Sequence, residues 1–115
     1  MAAGTWNITI EQGATFNKII AMTDSAGAVI DLTGYSARMQ IRQSTKSSVT
    51  LLELSSPSNG IAITALTGLI TITISATTTA ALSFMTAVYD LEIVNGSVVT
   101  RLLQGSVTLS EEVTR

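Results

Sequence analysis

The strongest constraint on this chain is the regular alternation of apolar and polar residues in short segments. The alternation is unbroken in YSARMQIRQ, residues 35–43, and in LITITIS, residues 69–75, isoleucines alternate with threonines. A period of two places every second side chain on the same face of an extended strand. Eight or nine such segments follow one another, with turn residues about every 8 to 12 positions. The pattern predicts an all-β antiparallel β-sandwich, immunoglobulin-like or jelly-roll-like.

The length of 115 residues is enough for one hydrophobic core, so we predict a single domain, 1–115. One segment departs from the strand pattern. In SATTTAALSF, residues 75–84, Ser75 can cap one or two helical turns, and the threonines argue against a longer helix. The absence of cysteine excludes a disulfide-bonded antibody domain and any thiol chemistry.

A hairpin is predicted at Asn95-Gly96, because both residue types tolerate the positive φ of a tight turn. A two-residue loop there would place Val94 opposite Ser97, with the tyrosine, leucine and isoleucine of YDLEI facing the core. The same register places Asp90 opposite Arg101 on the outer face, where opposite charges stabilise a strand pair by ~0.2–1 kcal/mol.

The spacing of Asp90 and Glu92 allows an alternative interpretation. Residues two apart on a strand share a face at about 7 Å, which is a plausible spacing for the carboxylate pair of a glycosidase. Such a site also needs a buried carboxyl group and aromatic platforms for the sugar, and the chain has only five aromatic residues (one Trp, two Tyr and two Phe). The hairpin register explains the charges without catalysis, so we interpret Asp90 and Arg101 as a structural pair.

Other catalytic chemistry has little support. Histidine is absent, which excludes the usual serine or cysteine triads and an ordinary zinc site. The segment DSAGAVID, residues 24–31, lacks the ligand spacing of a calcium loop and is interpreted as a turn. The glycines occur singly and form no phosphate-binding motif. We therefore predict no enzymatic activity, no catalytic residues, no metal and no cofactor.

The charge content is low: 12% of residues are charged, against about 25% in an average protein. Either much of the surface is covered by other copies or partners, or the domain simply has a neutral, threonine-rich surface. With six basic residues and a net charge of −2, nucleic acid is not expected as a partner. The first ten residues do not resemble a signal peptide, and no apolar run is long enough to suggest a membrane span.

Candidate interface residues are chosen by residue type and by position in the chain. Trp6 could fill the core or anchor an interface, since tryptophan is enriched at binding hot spots. Arg38 and Arg42 share a strand face and could bind an anion or an acidic partner, or could simply be solvated. The polar tail 111–115 could be disordered or could dock on a neighbour. Its residues complete the candidate list: Glu111, Glu112, Val113, Thr114 and Arg115.

Several segments in their order along the chain resemble a group of short virion proteins of tailed bacteriophages. These segments are ITIEQGATF, IDLTGYSARMQIR, LLEL, NGIAIT, GLITITISATTTAAL, VYDLEIVNG and VTRLLQGSVTLSEEVTR. The sequence is also similar in style to the amino-terminal β-sandwich of baseplate upper proteins, which carry receptor-binding fibres. The long fibre-binding regions of those proteins have no counterpart in these 115 residues.

The resemblance implies a structural protein of the virion, assembled in the host cytoplasm in many symmetric copies. Its partners would be other copies and other tail, baseplate or fibre proteins, to which it would connect or support tail fibres. Capsid decoration is an alternative, and a carbohydrate- or receptor-binding module is a further one. The strands TWNITIE and SVTLS are the segments expected to add to a neighbour's sheet.

Overall fold

A computed structural model describes residues 4–113, which form two β-sheets and one short α-helix. Alternating β-branched residues dominate the strands, as expected for a pleated, half-buried surface. The strands are β1 (Gly4–Thr5), β2 (Ile8–Glu11), β3 (Phe16–Ala21), β4 (Ser36–Arg42), β5 (Thr50–Ser55), β6 (Ile61–Thr64), β7 (Leu69–Ile74), β8 (Thr86–Asn95) and β9 (Val98–Ser110). The helix α1 is Ala76–Ala80, and a 3-10 helix spans Ala65–Thr67.

The strands form a six-stranded and a three-stranded sheet. In the six-stranded sheet the order is β1-β9-β8-β4-β5, with β2 also paired to β9, and in the three-stranded sheet it is β3-β7-β6. All named pairs are antiparallel except those of β1 and β2, which run parallel to β9. The predicted all-β sandwich is confirmed. The two amino-terminal strands differ from the prediction of an antiparallel sandwich, because β1 and β2 run parallel to β9.

The core lies between the two sheets and follows the predicted alternation. On β7 the isoleucines are buried and the threonines face outward, and on β4 Ala37, Met39 and Ile41 are buried. Burial of apolar surface at about 25 cal/mol per Å² is the main stabilising contribution in such a sandwich. The largest fully buried side chains are Ile10, Leu32, Met39, Ile41, Ile61, Ile70, Ile72, Ile74, Leu91, Val107 and Thr79.

The helical turn lies where it was predicted, between β7 and β8. The Ser75 hydroxyl accepts a hydrogen bond from the Thr78 N–H at 3.2 Å, which is an N-cap. Thr79 is fully buried, and its Oγ1 accepts from the Gly13 N–H at 3.0 Å and donates to the Ala14 carbonyl at 2.9 Å. The helix is therefore held to the turn between β2 and β3.

Two segments differ from what their sequence predicts. The mostly apolar, β-branched segment VIDL, residues 29–32, predicts a short strand but forms none; only an isolated bridge joins Thr23 to Val29, and Leu32 is buried with its N–H bonded to the Ala65 carbonyl. The segment SVTLS was expected at a sheet edge. It lies inside the six-stranded sheet, since β9 pairs with β2 on one side and β8 on the other.

The predicted register of the β8–β9 hairpin is wrong by two residues. Asn95 lies opposite Val98, so the turn is Gly96-Ser97, and only Gly96 has a positive φ, 61°. Glycine at the first central position is typical of a type II′ turn, which needs no positive φ at the second. A bulge then shifts the register between Leu91 and Glu92. A slip of two residues preserves which side chains face inward, so the core of the hairpin is as predicted.

Candidate functional site

The outer face of the six-stranded sheet carries most of the polar side chains that the sequence singled out. Strand pairing brings them together: Arg38 lies opposite Glu92, and Gln40 lies between Asp90 and Glu53. We call this group the polar face. Its members come from four adjacent strands and are Arg38, Gln40, Arg42, Glu53, Asp90, Glu92, Arg101 and Gln104.

Two ion pairs link the arginines and carboxylates of this face. Arg38 Nε lies 2.8 Å from Glu92 Oε1, and Arg101 Nε lies 3.5 Å from Asp90 Oδ2. Arg101 is opposite Glu92 in the strand register, not opposite Asp90 as predicted, so its contact with Asp90 is diagonal. Both arginine side chains are about half exposed, at 54% and 53%. Such exposed pairs contribute little to stability, ~0–1 kcal/mol.

Arg42, the second arginine of β4, is held by local hydrogen bonds. Its Nη2 and Nε donate to Gln40 Oε1 at 2.8 and 3.2 Å, and its Nη1 donates to the Ser47 carbonyl at 2.7 Å. Gln40 in turn donates through Nε2 to Glu53 Oε2. These bonds attach the guanidinium to Gln40 and to the loop after β4.

A hollow of about 530 Å³ opens on this face beside Asp90. It is lined by the end of β1, by the middle of β9, by parts of β4 and β8 and by the loop after β4; the lining includes Thr5, Arg42, Ser44, Thr45, Asp90 and Gln104. A smaller hollow of about 300 Å³ is lined by Arg38, Gln40, Glu53, Asp90 and Glu92. The smaller hollow has a mainly polar lining, whereas the lining of the larger one is more apolar than polar, and its one aromatic residue, Tyr89, is itself buried. Neither offers an exposed aromatic platform for a sugar ring.

The electrostatics of Asp90 do not favour acid–base catalysis. The pKa of Asp90 is raised above its ordinary value, first by partial burial and then by the neighbouring Glu92. The positive charges of Arg101, Arg38 and Arg42 oppose this increase but do not cancel it. A raised carboxyl pKa is one requirement of a general acid. However, Asp90 and Glu92 are engaged by Arg101 and Arg38 and line the same open surface, so they do not face each other across a cleft. The geometry favours a neutralised, structural face.

Trp6 lies between β1 and β2 and is partly buried against the core. The Lys18 ammonium lies 4.5 Å from the centroid of its ring, a cation–π contact. Its backbone carbonyl accepts a hydrogen bond from the Tyr89 hydroxyl at 2.6 Å, and its N–H donates to the Gln104 carbonyl at 3.0 Å. These contacts give Trp6 a structural role, and the residue as a whole remains partly exposed.

The candidate tail is described as far as Val113. Glu111 and Val113 are exposed, whereas Glu112 is half-buried and its N–H donates to Gln12 Oε1 at 3.0 Å. The Gln12 Nε2 donates to the Leu82 carbonyl at 2.9 Å. The start of the tail is thus attached to its own domain through Gln12. Two of the candidate residues, Thr114 and Arg115, lie outside the described residues.

The outer face of the three-stranded sheet contrasts with the polar face. The outward positions of β3, β6 and β7 follow from the buried isoleucines and the register, and none of them carries a charge. Ile19, near the middle of β3, is 58% exposed. We call this surface the neutral face; it consists of Asn17, Ile19, Ala21, Ala62, Thr64, Leu69, Thr71 and Thr73.

Sequence reasoning missed several of these residues. Gln40 shares the parity of Arg38 and Arg42 and could have been included on that signal. Glu53 could not, because its place beside Gln40 depends on the pairing of β5 with β4. Gln12 and Thr79 had no local signal, since their partners are 65 or more positions away.

Among residues 4–113, no group of three or more Asp and Glu side chains could hold a metal ion. No helix in the same range is long and apolar enough to cross a membrane.

Comparisons with known proteins give a fold and no family. No protein-family model matches the chain, and no curated protein matches it. Among solved structures, the fold is similar to one titled "crystal structure of chicken TCR for 2.0", with a TM-score of 0.54 and 13% sequence identity. The match covers 96% of this chain and 55% of that chain, so the present chain spans about half the length of its structural neighbour. At this identity the likeness concerns the fold alone: the chain is a β-sandwich of immunoglobulin-like architecture.

Proposed function

We propose that this chain is a structural protein of a bacteriophage virion, present in multiple copies in the tail or baseplate, where it connects or supports tail fibres. The resemblance of its sequence segments to short virion proteins of tailed phages motivates the proposal. The immunoglobulin-like sandwich is compatible with it, since such sandwiches serve many functions and the function must be argued from the surfaces.

The observation that carries the proposal is the neutral face. Charged residues are usually depleted at the centre of protein–protein interfaces, because an unpaired charge is costly to bury. Here an entire sheet surface lacks them, and its threonine and alanine side chains are small enough for close approach of another sheet. A protein that packs in many copies needs surfaces of this kind.

The polar face also supports the proposal, because its charged groups are already paired with one another. Its arginines and carboxylates form ion pairs and hydrogen bonds with one another, so few charges remain to bind a small substrate. The hollow beside Asp90 has no exposed aromatic surface, which disfavours the alternative of a carbohydrate-binding module. We accordingly propose no enzymatic activity.

Capsid decoration is the second location that we consider. A cement protein would also need neutral contact surfaces, so the neutral face favours neither site over the other. The similarity of sequence style to baseplate proteins is what favours the tail.

The deciding experiment is quantitative mass spectrometry of purified particles from the host that carries the gene. We expect the chain at several to many copies per particle, at a level that stays constant through density-gradient purification. Its absence from intact particles would overturn the proposal. Cryo-electron microscopy of the same particles would then distinguish tail from capsid, and density for the sandwich on the capsid lattice would reject the tail location.

A further inference from the structure

Three connecting segments meet at one end of the sandwich. The loop 22–35 leads into β4, which begins opposite the end of β8, and the Gly96-Ser97 turn follows directly. The segment 65–68 lies at the same end, since Ala21 and Thr64 both pair with Leu69. We call this surface the loop end. It is distinct from the polar face and the neutral face.

The loop end exposes large apolar side chains. Leu66 is 76% exposed, Val98 65%, Val29 58% and Val99 48%. These are half of the eight exposed large hydrophobic residues in the described chain: Val29 is in the loop 22–35, Leu66 is in the segment 65–68, and Val98 and Val99 follow the Gly96-Ser97 turn on opposite faces of the hairpin. Val98 is opposite Asn95, two residues beyond the buried Ile93, so it lies on the side of the hairpin that faces the other sheet. Clustered apolar exposure of this kind is typical of an interaction site.

Backbone hydrogen bonds join two parts of the loop end, the loop 22–35 and the segment 65–68. The Leu32 N–H donates to the Ala65 carbonyl at 2.8 Å, and the Met22 N–H donates to the Gly68 carbonyl at 2.7 Å. Gly68 packs so closely that a Cβ there would lie 2.6 Å from the Ile30 carbonyl oxygen. A preformed surface loses little conformational entropy on binding, which favours a specific contact.

The charges of the loop end are all negative. Within residues 22–35, 65–68 and 95–99 the only charged residues are Asp24 and Asp31. Asp24 Oδ1 accepts from the N–H groups of Ala26 and Ala28, and Asp31 Oδ1 accepts from Thr33. These bonds fix both carboxylates, and the Thr33 bonds lower the pKa of Asp31. Two copies meeting through this end would bring like charges together, so the charge pattern fits a different protein.

We infer that the loop end docks on another protein of the particle, through an apolar patch on that partner which is flanked by lysine or arginine side chains. The apolar side chains of the loop end would be buried in the contact, and the two aspartates would face the cations at its rim. The inference rests on the proposed function, because it takes the partner to be a component of the virion.

The test uses particles made by a host in which the gene is deleted and supplied on a plasmid. The loop-end variant carries Leu66→Asp and Val98→Asp, and a matched control carries Val49→Asp and Met85→Asp. The control residues have similar exposure, 63% and 75%, and lie in the segments 43–49 and 81–85 at the opposite end of the sandwich. A third variant, Asp24→Asn with Asp31→Asn, keeps the Oδ1 acceptors and removes the charges. Urea unfolding of each purified variant checks that the domain is intact.

The measured quantity is the number of copies per purified particle, by quantitative mass spectrometry. We expect the copy number of the loop-end variant to be at least about tenfold lower than that of wild type, which corresponds to a loss of 1.4 kcal/mol of binding free energy. The copy number of the control variant should be close to that of wild type. We expect the asparagine variant to fall by a smaller factor. Equal incorporation of the loop-end variant and wild type would overturn the inference alone, and an unaffected asparagine variant would overturn the cationic partner. Absence of the wild-type chain from particles would overturn the proposed function together with this partner.

Discussion

The hydroxyl of Tyr89 donates a 2.6 Å hydrogen bond to the backbone carbonyl of Trp6, a residue 83 positions earlier in the chain. Gly105, opposite Tyr89 on β9, makes this approach possible, since a Cβ there would lie 2.3 Å from the same carbonyl oxygen. One buried phenol and one glycine therefore fix the point at which the amino-terminal strand crosses from β1 to β2.

The first prediction concerns the Tyr89 hydroxyl. Tyr89→Phe should lower the free energy of unfolding by about 0.5–1.5 kcal/mol at neutral pH, because the Trp6 carbonyl loses its partner. Urea denaturation followed by Trp6 fluorescence measures the change. Burial raises the pKa of Tyr89 to about 12, above the value near 10 of an unfolded chain. The folded state thus keeps a proton that the unfolded state releases, and this contribution to stability is lost as the pH rises from 10 to 12.

The control for this prediction is Tyr35→Phe, at the other tyrosine of the chain. The difference in stability between wild type and Tyr89→Phe should shrink between pH 10 and 12, whereas Tyr35→Phe retains the Tyr89 phenol and its pH-dependent contribution. A constant difference for Tyr89→Phe across that range would contradict the role given to burial.

The second prediction concerns Gly105. Gly105→Ala should destabilise the domain by about 1–3 kcal/mol, because the new methyl group would collide with the backbone of Trp6. Gly4→Ala is the matched control: its Cβ would meet the flexible Leu103 side chain at 3.3 Å, at an exposed strand. Thermal or urea unfolding of both variants tests this, and equal effects would show that the close approach at Gly105 is not the cause.

The third prediction concerns Thr79, the one fully buried polar side chain in the described chain. Thr79→Val keeps the shape but leaves the Gly13 N–H and the Ala14 carbonyl without their partner, at a cost of about 1–3 kcal/mol. Thr77→Val on the exposed side of the same helix is the control and should change stability by less than about 0.5 kcal/mol. Hydrogen exchange at Gly13 should also accelerate in Thr79→Val alone.

The fourth prediction compares Asp90 and Asp31, whose pKa values are shifted in opposite directions. The pKa of Asp90 is raised, mainly by burial, so its ionisation costs stability as the pH rises through about 4 and up to its folded pKa. The pKa of Asp31 is lowered by its hydrogen bonds with Thr33, so its ionisation adds stability, which is lost again as the pH falls from about 4 to its folded pKa. Urea midpoints of Asp90→Asn and Asp31→Asn between pH 3 and 6 should therefore differ from wild type with opposite slopes. Parallel curves would refute the assignment.

The sequence was informative where structure depends on neighbours along the chain. The parity of β4 and β7, the Ser75 cap and the inward face of the hairpin all follow from local patterns, because a period of two or a capping hydroxyl needs no distant partner. The hairpin register failed for a physical reason. Asn95-Gly96 and Gly96-Ser97 are both acceptable turns, and the choice depends on the bulge between Leu91 and Glu92 and on the placement of Leu102 in the core.

The sequence was uninformative where contacts join distant segments. Pairing of β2 with β9 brings together residues about a hundred positions apart, and nothing in TWNITIE or SVTLS specifies the partner. The polar face shows the same limit. Arg38 and Arg42 could be placed on one side of a strand, but their engagement by Glu92, Gln40 and Ser47 depends on tertiary structure.

The parallel pairing of β1 and β2 with β9 has a mechanical consequence. β1 is the first strand of the domain and β9 is the last. Because β1 and β2 run parallel to β9, tension that pulls the start of β1 away from the end of β9 shears these strands past each other. In that geometry the ladder hydrogen bonds carry the force simultaneously, whereas a hairpin pulled open at its ends breaks them one after another. If the domain is held between two neighbouring proteins by its two ends, the hydrogen bonds that join β9 to β1 and β2 bear the stretching force.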